Sequence, residues 1–331
     1  MKKFFIILCC LTLGISFANA QKKQIKPIKK PYQTVVIENS RELQTILKFA
    51  VSETLNKYSG KGMHFNDLAA TLIDMRDSSN LVSANYRGDF KIYPASVVKM
   101  FYMVAIHQWL ENGKIKDSPE LRRTMKDMIV DSSNDATQII LDILSGVGSG
   151  GELPEAEFKK WAYKRNVVNR YFESLEYQNI NVCQKTFCED AYGIEQQFRG
   201  KDGINRNKLT TNATAQLMAE IVLGKAVTAE RTKQMLDLMK RNWENKESKV
   251  FDGDDQTNGF TGIALKDLDL KGAKLWSKAG WTSKTRHDVA YVETPSGLKF
   301  VLCVFTENQS KERDIIPNIA RIVIKELGEI R

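Results

Sequence analysis

The chain has 331 residues, enough for one large domain or two modest ones. Hydrophobic residues make up 42% and charged residues 27%, a globular balance that excludes a disordered tail, a collagen-like fibre and a disulfide-dense mini-scaffold. Lys and Arg number 49 against 40 Asp and Glu, so the formal charge of +9 favours anionic partners without naming one.

The first twenty residues read as a cleavable export signal. Lys2-Lys3 is a positive start, Phe4 to Phe17 is an apolar run, and Ala18-Asn19-Ala20 is a small-residue cleavage pattern. Residues 21–39, rich in Lys and Pro at their start, read as a flexible leader. No later stretch approaches the ~20 apolar residues of a membrane span, so a secreted or periplasmic protein without stable membrane insertion is expected. Export makes cysteine pairing chemically accessible. Cys183 and Cys188 lie close together in a polar stretch and read either as a local disulfide or as two free thiols, whereas Cys303 sits in an apolar run and reads as core. His64, His107 and His287 are scattered, with no pair at ligand spacing, so neither a metal nor another cofactor is expected.

Ser40 to Lys57 carries Leu43, Ile46, Leu47, Ala50, Val51 and Leu55 at helical spacing, with Ser40 as its cap. Ala69 to Met75 and Leu81 to Tyr86 read as strands joined by a turn at Asp77 to Asn80. Helices are predicted over Ser96 to Leu110, Leu121 to Ile129 and Asp135 to Leu144. Ser145 to Leu209 loses its periodicity and reads as partly helical, then a long ordered loop. Helices return over Thr211 to Leu223 and Ala229 to Trp243. Lys274 to Trp281, Val289 to Thr294 and Leu298 to Thr306 read as strands, the last two joined by the hairpin Pro295-Ser296-Gly297, before a closing helix over Lys311 to Leu327. Strands at both ends of the chain predict an α/β (α+β) fold. Its five-stranded antiparallel sheet, flanked by the terminal helices, is built from residues 40–95 and 245–331, and an all-helical part spans 96–244.

Three short motifs carry the chemistry. Tyr93-Pro-Ala-Ser-Val-Val-Lys99 opens a helix, and Ser96 and Lys99, three apart, share a face. A lysine amine beside a serine hydroxyl serves as its base if burial lowers the amine pKa, and backbone N–H groups at a helix start stabilise an oxyanion. The bland alternative for Ser96 is a helix cap beside a surface lysine. Asp131-Ser132-Ser133-Asn134 lies between two helices, where Ser132 is placed to relay a proton and Asn134 to bind an amide; ordinary capping is the alternative. Ser277-Lys278-Ala279-Gly280-Trp281 lies on a strand, where Lys278 attracts a carboxylate and Gly280 permits close backbone approach; a solvated lysine is the alternative. Each motif has a decoy: Ser296/Lys299 in a hairpin, Asp77 to Asn80 in a turn, Lys201-Asp202-Gly203 in a loop.

The order and context of the three resemble the penicillin-recognising serine enzymes, the class A β-lactamases and the penicillin-binding D,D-peptidases. Met128 to Leu141 and Asn207 to Met218 look like the class A branch, and the resemblance covers roughly Ser40 to Gly328. It implies one such domain over 40–331. It further implies Ser96 as acylated nucleophile, Lys99 as base, Ser132 as proton shuttle and Asn134 as the contact to the substrate amide. Lys278 would bind the substrate carboxylate, the N–H groups of Ser96 and Trp281 would form the oxyanion hole, and Arg286 reads either as a second carboxylate anchor or as a surface arginine. The chain departs from the pattern in three places. The segment between Ser96 and Ser132 is short, Ala279 replaces the usual hydroxyl residue, and the usual Glu-x-x-x-Asn is missing. Glu195 stands at a suitable distance before Thr210-Thr211 to be the deacylating base, or else pairs with Arg199; Glu189 is a poorer candidate. Lys164 to Phe172 and Lys185 to Glu189 look like a less-studied exported branch. The resemblance implies a monomeric hydrolase of β-lactams, of a peptidoglycan stem peptide or of another amide or ester; a non-catalytic wall-binding relative is the third reading. Nucleic-acid binding would rest on charge alone.

Overall fold

The computed structural model describes residues 35–244 and 256–329; the expected export signal and residues 21–34 of the expected leader lie outside them. Ile37–Asn39 form the first strand, β1. Ser40 then caps α1 (Arg41–Tyr58), accepting from the Leu43 amide at 3.2 Å, and the helix buries the predicted stripe from Leu43 to Val51. β2 (Leu68–Asp74) and β3 (Leu81–Tyr86) follow, joined by a turn in which Asp77 accepts from the amide and hydroxyl of Ser79. That local bonding consumes the first Asp-Ser-Ser-Asn as structure.

The helical part contains α2 (Val98–Glu111), α3 (Pro119–Ile129), α4 (Asn134–Ser145), α5 (Glu155–Arg165), α6 (Val167–Glu173), α7 (Ile194–Arg199), α8 (Thr211–Val222) and α9 (Ala229–Met239). Met100 to Ile106 of α2 are wholly inaccessible to solvent. A helix apolar on every face belongs inside, and each large side chain it buries contributes about 1.5–3 kcal/mol. The helix carrying Lys99 is therefore a fixed axle of the fold. The chain returns through β4 (Lys240–Arg241), α10 (Thr261–Asp267), β5 (Lys274–Trp281), β6 (Thr285–Glu293), β7 (Lys299–Glu307) and α11 (Ile315–Glu329).

The sheet has seven strands in the order β1-β3-β2-β7-β6-β5-β4. This corrects the expected five-stranded antiparallel sheet. The five central strands do pair antiparallel, but β1 adds a parallel edge beside β3 and β4 adds an antiparallel edge beside β5. Both additions are too short to show a period of two, and β4 occupies positions the helical pattern had extended through to Trp243. One sheet face packs with α1, α10 and α11, where Leu47, Phe300 and Ile319 meet. The other packs on the helices around α2 and α8, where Phe101, Met218 and Phe305 meet. The three motifs singled out in the sequence lie along the seam between that second face and the helices.

Candidate active site

Ser96 sits in a single 3-10 turn, Ala95–Val97, at the head of α2. The turn is pinned from both sides. The amide of Val97 donates to the Pro94 carbonyl at 3.1 Å. His287, on β6, meets the Tyr93 carbonyl through Nε2 at 2.9 Å while its Nδ1 accepts from the Thr306 amide at 3.1 Å. An acceptor at Nδ1 makes Nε2 the donor, so His287 is a neutral strut, and burial lowers its pKa to about 4. Ala95 has φ +46°, strained for a residue with a Cβ and held by these contacts. Gly280 presses against the turn: a Cβ there would stand 2.7 Å from the Ser96 nitrogen and 2.9 Å from the Pro94 oxygen. Only glycine lets β5 come this close.

The strand register orients the neighbouring amides. Thr282 donates to the Thr285 carbonyl, so the adjacent Trp281–Arg286 pair is a non-hydrogen-bonded one and the Trp281 N–H points away from β6. Ala279, of the same parity, points its N–H outward onto Gln256 Oε1 at 3.2 Å. The Trp281 N–H thus leaves the outer edge of β5 beside the Ser96 backbone, the placement an oxyanion hole needs.

Ser132 is the meeting point of two buried amines. Lys99, the second residue of α2 and one turn beyond Ser96, donates to Ser132 Oγ at 3.3 Å, to Asn134 Oδ1 at 2.8 Å and to the Ser132 carbonyl. Lys278 donates to the same Ser132 Oγ at 3.0 Å, and to Gln256 Oε1 and the Ala279 carbonyl at 2.8 Å each. The cap of α4 is Ser133, whose hydroxyl accepts from the Ala136 amide at 3.1 Å. That frees Ser132 and Asn134 for the cluster, which settles the capping alternative. Ser132 has φ +56°, a turn that swings its hydroxyl between the amines. Every one of these acceptors is uncharged. Burial lowers the Lys99 pKa to about 7, and burial, then Lys99, then Arg241, push the Lys278 pKa well below the usual lysine value against the pull of Asp288.

Residues 115–327 match the family model described as the beta-lactamase enzyme family. The chain belongs to that family. The match begins after Ser96 and Lys99, so the first motif joins the other two through the geometry just described. No curated protein matches at the level of sequence. Among solved structures the chain is similar to a β-lactamase from Sphaerobacter thermophilus, with TM-score 0.61 and 18% identity over 86% of this chain and 98% of that one. It is similar to PBP-A, with TM-score 0.59 and 18% identity over 90% of this chain and all (100%) of that one. A β-lactamase from Streptosporangium roseum matches with TM-score 0.57 and 15% identity, over 86% of this chain and 100% of that one. At these identities the likeness concerns the fold.

Glu195 and Arg286 make other contacts than the resemblance implies. Glu195, on α7, is 1% exposed and drawn into a buried ion cluster: Oε1 accepts from Arg165 at 2.6 Å and Ser149 at 2.8 Å, with Lys185 at 3.6 Å. Its partner is therefore Arg165 and not Arg199, which pairs with Asp190, and the hydrogen bonds of Lys99 go to Ser132 and Asn134 instead. Arg286 leaves β6 on the face opposite Lys278. Its guanidinium lies 4.7 Å over the Phe260 ring, its Nε donates to the Ser310 carbonyl at 3.3 Å, and burial lowers its pKa to about 10. Of the two readings of Cys183 and Cys188, a local disulfide or two free thiols, the structure has the free thiols. Cys183 and Gln184 are held inside by Asn207, whose Oδ1 accepts from both amides, while Cys188 is carried out to the site, 3.5 Å from Asn134 Nδ2.

Sequence reasoning missed Gln256, Arg241, Cys188 and His287 as parts of the site. The alternation of β6 would have placed His287 on the inner face with Val289. Nothing in the sequence around Gln256 marks it. Among the described residues, no group of His, Cys, Asp and Glu could hold a metal ion, and no helix is long and apolar enough to cross a membrane.

Proposed function

We propose that this is an exported serine hydrolase of the class A β-lactamase type, acylated on Ser96 by β-lactams. The observation that carries the reading is the convergence of Lys99 and Lys278 on Ser132 beside a Ser96 backbone packed against Gly280. With its pKa near 7, Lys99 accepts the Ser96 hydroxyl proton. The Ser96 oxygen attacks the lactam carbonyl, and the Ser96 and Trp281 N–H groups hold the oxyanion. The carbon–nitrogen bond breaks, the leaving nitrogen takes a proton through Ser132, and water later hydrolyses the ester. Lys278 binds the substrate carboxylate and Asn134 the side-chain amide. The sequence of Met1 to Ala20 supports export.

The position of Glu195 favours a second reading. A carboxylate tied to Arg165 is poorly placed to activate the deacylating water, so release is slow and the natural substrate is a peptidoglycan stem peptide cut by a D,D-peptidase. PBP-A, a structural neighbour, has been captured in a variant form as an acyl-enzyme with penicillin G.

A fluorescent penicillin tests both. Covalent labelling should occur at Ser96 and vanish in Ser96→Ala, as read by intact-protein and peptide mass spectrometry. Rapid turnover supports the β-lactamase; an adduct stable for many minutes supports the peptidase. Labelling that persists in Ser96→Ala overturns the acylation chemistry common to both.

A further inference from the structure

Gln256 is 5% exposed and lies outside all three catalytic motifs. Its oxygen accepts from Lys278 Nζ at 2.8 Å, the Ala279 amide at 3.2 Å and Arg241 Nη2 at 3.3 Å. Its nitrogen donates to the carbonyls of Val130 at 2.8 Å and Ile129 at 3.0 Å. The orientation is fixed by chemistry: turned over, the amide nitrogen would face an ammonium and a guanidinium, and the oxygen would face two carbonyls. The side chain thus ties β5 to the end of α3, two residues ahead of Ser132.

The charge of this side chain matters as much as its reach. A carboxylate here would neutralise Lys278 and repel the Ile129 and Val130 carbonyls. The amide holds Lys278 in place and leaves it without a counter-ion. The charged groups that act on this amine are Lys99 from α2, Arg241 from β4 and, from the other face of the sheet, Asp288 of β6. Asp288 makes no ion pair with the amine: its Oδ2 accepts from the Thr261 amide at 3.0 Å, and its Oδ1 has no hydrogen-bond partner among the described residues.

We propose that Gln256 is the positioning residue that aims the Lys278 amine at the carboxylate of the substrate, and so sets a preference for acyl donors bearing one. The inference rests on the acylation reading above and deepens it. The three N–H bonds of Lys278 go to neutral acceptors, Gln256, Ser132 and the Ala279 carbonyl; the incoming carboxylate displaces the most distant of them, Ser132 Oγ at 3.0 Å, and enters as the single anion.

The test uses the full-length protein and Gln256→Met, which keeps the length of the side chain and removes its hydrogen bonds. Acylation of Ser96 by a penicillin and by its methyl ester is followed by intact-protein mass spectrometry. The free acid should slow by about tenfold or more in the variant, the size of a lost charge-assisted contact, through weaker binding and not a slower bond-forming step. The ester should change less than twofold. Equal slowing of both, or no change in either, overturns the inference. A second readout does not depend on acylation: the Lys278 amine, titrated by NMR with labelled lysine, should move to lower pH in Gln256→Met, because an acceptor of the charged form is lost. If the parent protein is never acylated, the functional reading fails, while this titration still decides the contact; an unmoved amine overturns it.

Discussion

At the residue scale, the site is governed by two amines kept from water and fed only neutral acceptors. Lys99 illustrates the consequence. Its pKa of about 7 comes from burial, so the neutral, proton-accepting form gains population as pH rises through that value. The acylation rate should therefore climb by about tenfold per pH unit below 7 and level off above 8, when followed by stopped-flow with a chromogenic penicillin. A flat profile from pH 5.5 to 8.5 would remove Lys99 as the base. The motif residues were legible because each chemical word sits on an element whose geometry the sequence also specifies: three apart on a helix, or alternating on a strand. Gln256 was illegible because its partners come from α3, β4 and β5, and such convergence leaves no local trace. Glu195 shows the same limit from the other side. Its spacing suits a catalytic role, but Arg165, remote in sequence, claims its charge.

At the element scale, the reactive turn depends on β5 approaching without a side chain. Gly280→Ala would place a Cβ against three backbone atoms, the Ser96 and Val97 nitrogens and the Pro94 oxygen, all at 3.0 Å or less, and none of them belongs to a flexible side chain. The strand or the turn must shift, and a displacement near 1 Å at a reacting centre costs about 100-fold in rate. The measurement is fluorescent-penicillin labelling alongside a thermal melt. A variant that labels at the parent rate would show that the close approach is dispensable. Five strands were readable from alternation or buried runs such as Leu68–Asp74. β1 and β4, three and two residues long, give too few positions to establish a period. α10 escaped notice because seven residues make barely two turns, and its Gly262 weakens the helical signal.

At the scale of the whole molecule, two buried imidazoles tie stability to pH. His107 and His287 are buried, and burial lowers the pKa of each from 6.5 to about 4. Between those values the unfolded chain binds protons that the folded one refuses, so stability falls as pH drops from 6.5 to 4, on the order of 1.4 kcal/mol per unit for each group. Asp288, raised to about 6 by burial, works the other way over pH 3.8 to 6 and offsets one of the two. His107 has no hydrogen-bond partner at either ring nitrogen among the described residues. His107→Leu should therefore shrink the gap in urea midpoint between pH 7 and pH 5. An undiminished gap would place the acid sensitivity elsewhere. The two-part architecture was visible in the element order, since strands at both ends must meet in space. The oxidation state of Cys183 and Cys188 was not, because sequence proximity says nothing about whether an asparagine holds one thiol inside while the other is carried outward.

The shared oxygen of Ser132 has a broader meaning. One amine that reaches it is rooted in the helical mass, the other in the sheet, so the two halves are fastened together at the spot where the proposed acylation takes place. Cohesion and reactivity draw on the same few contacts. A change that widens the cleft for a bulkier guest also loosens the clasp, and any gain in robustness has to be sought far from it, in the two hydrophobic layers that sandwich the sheet.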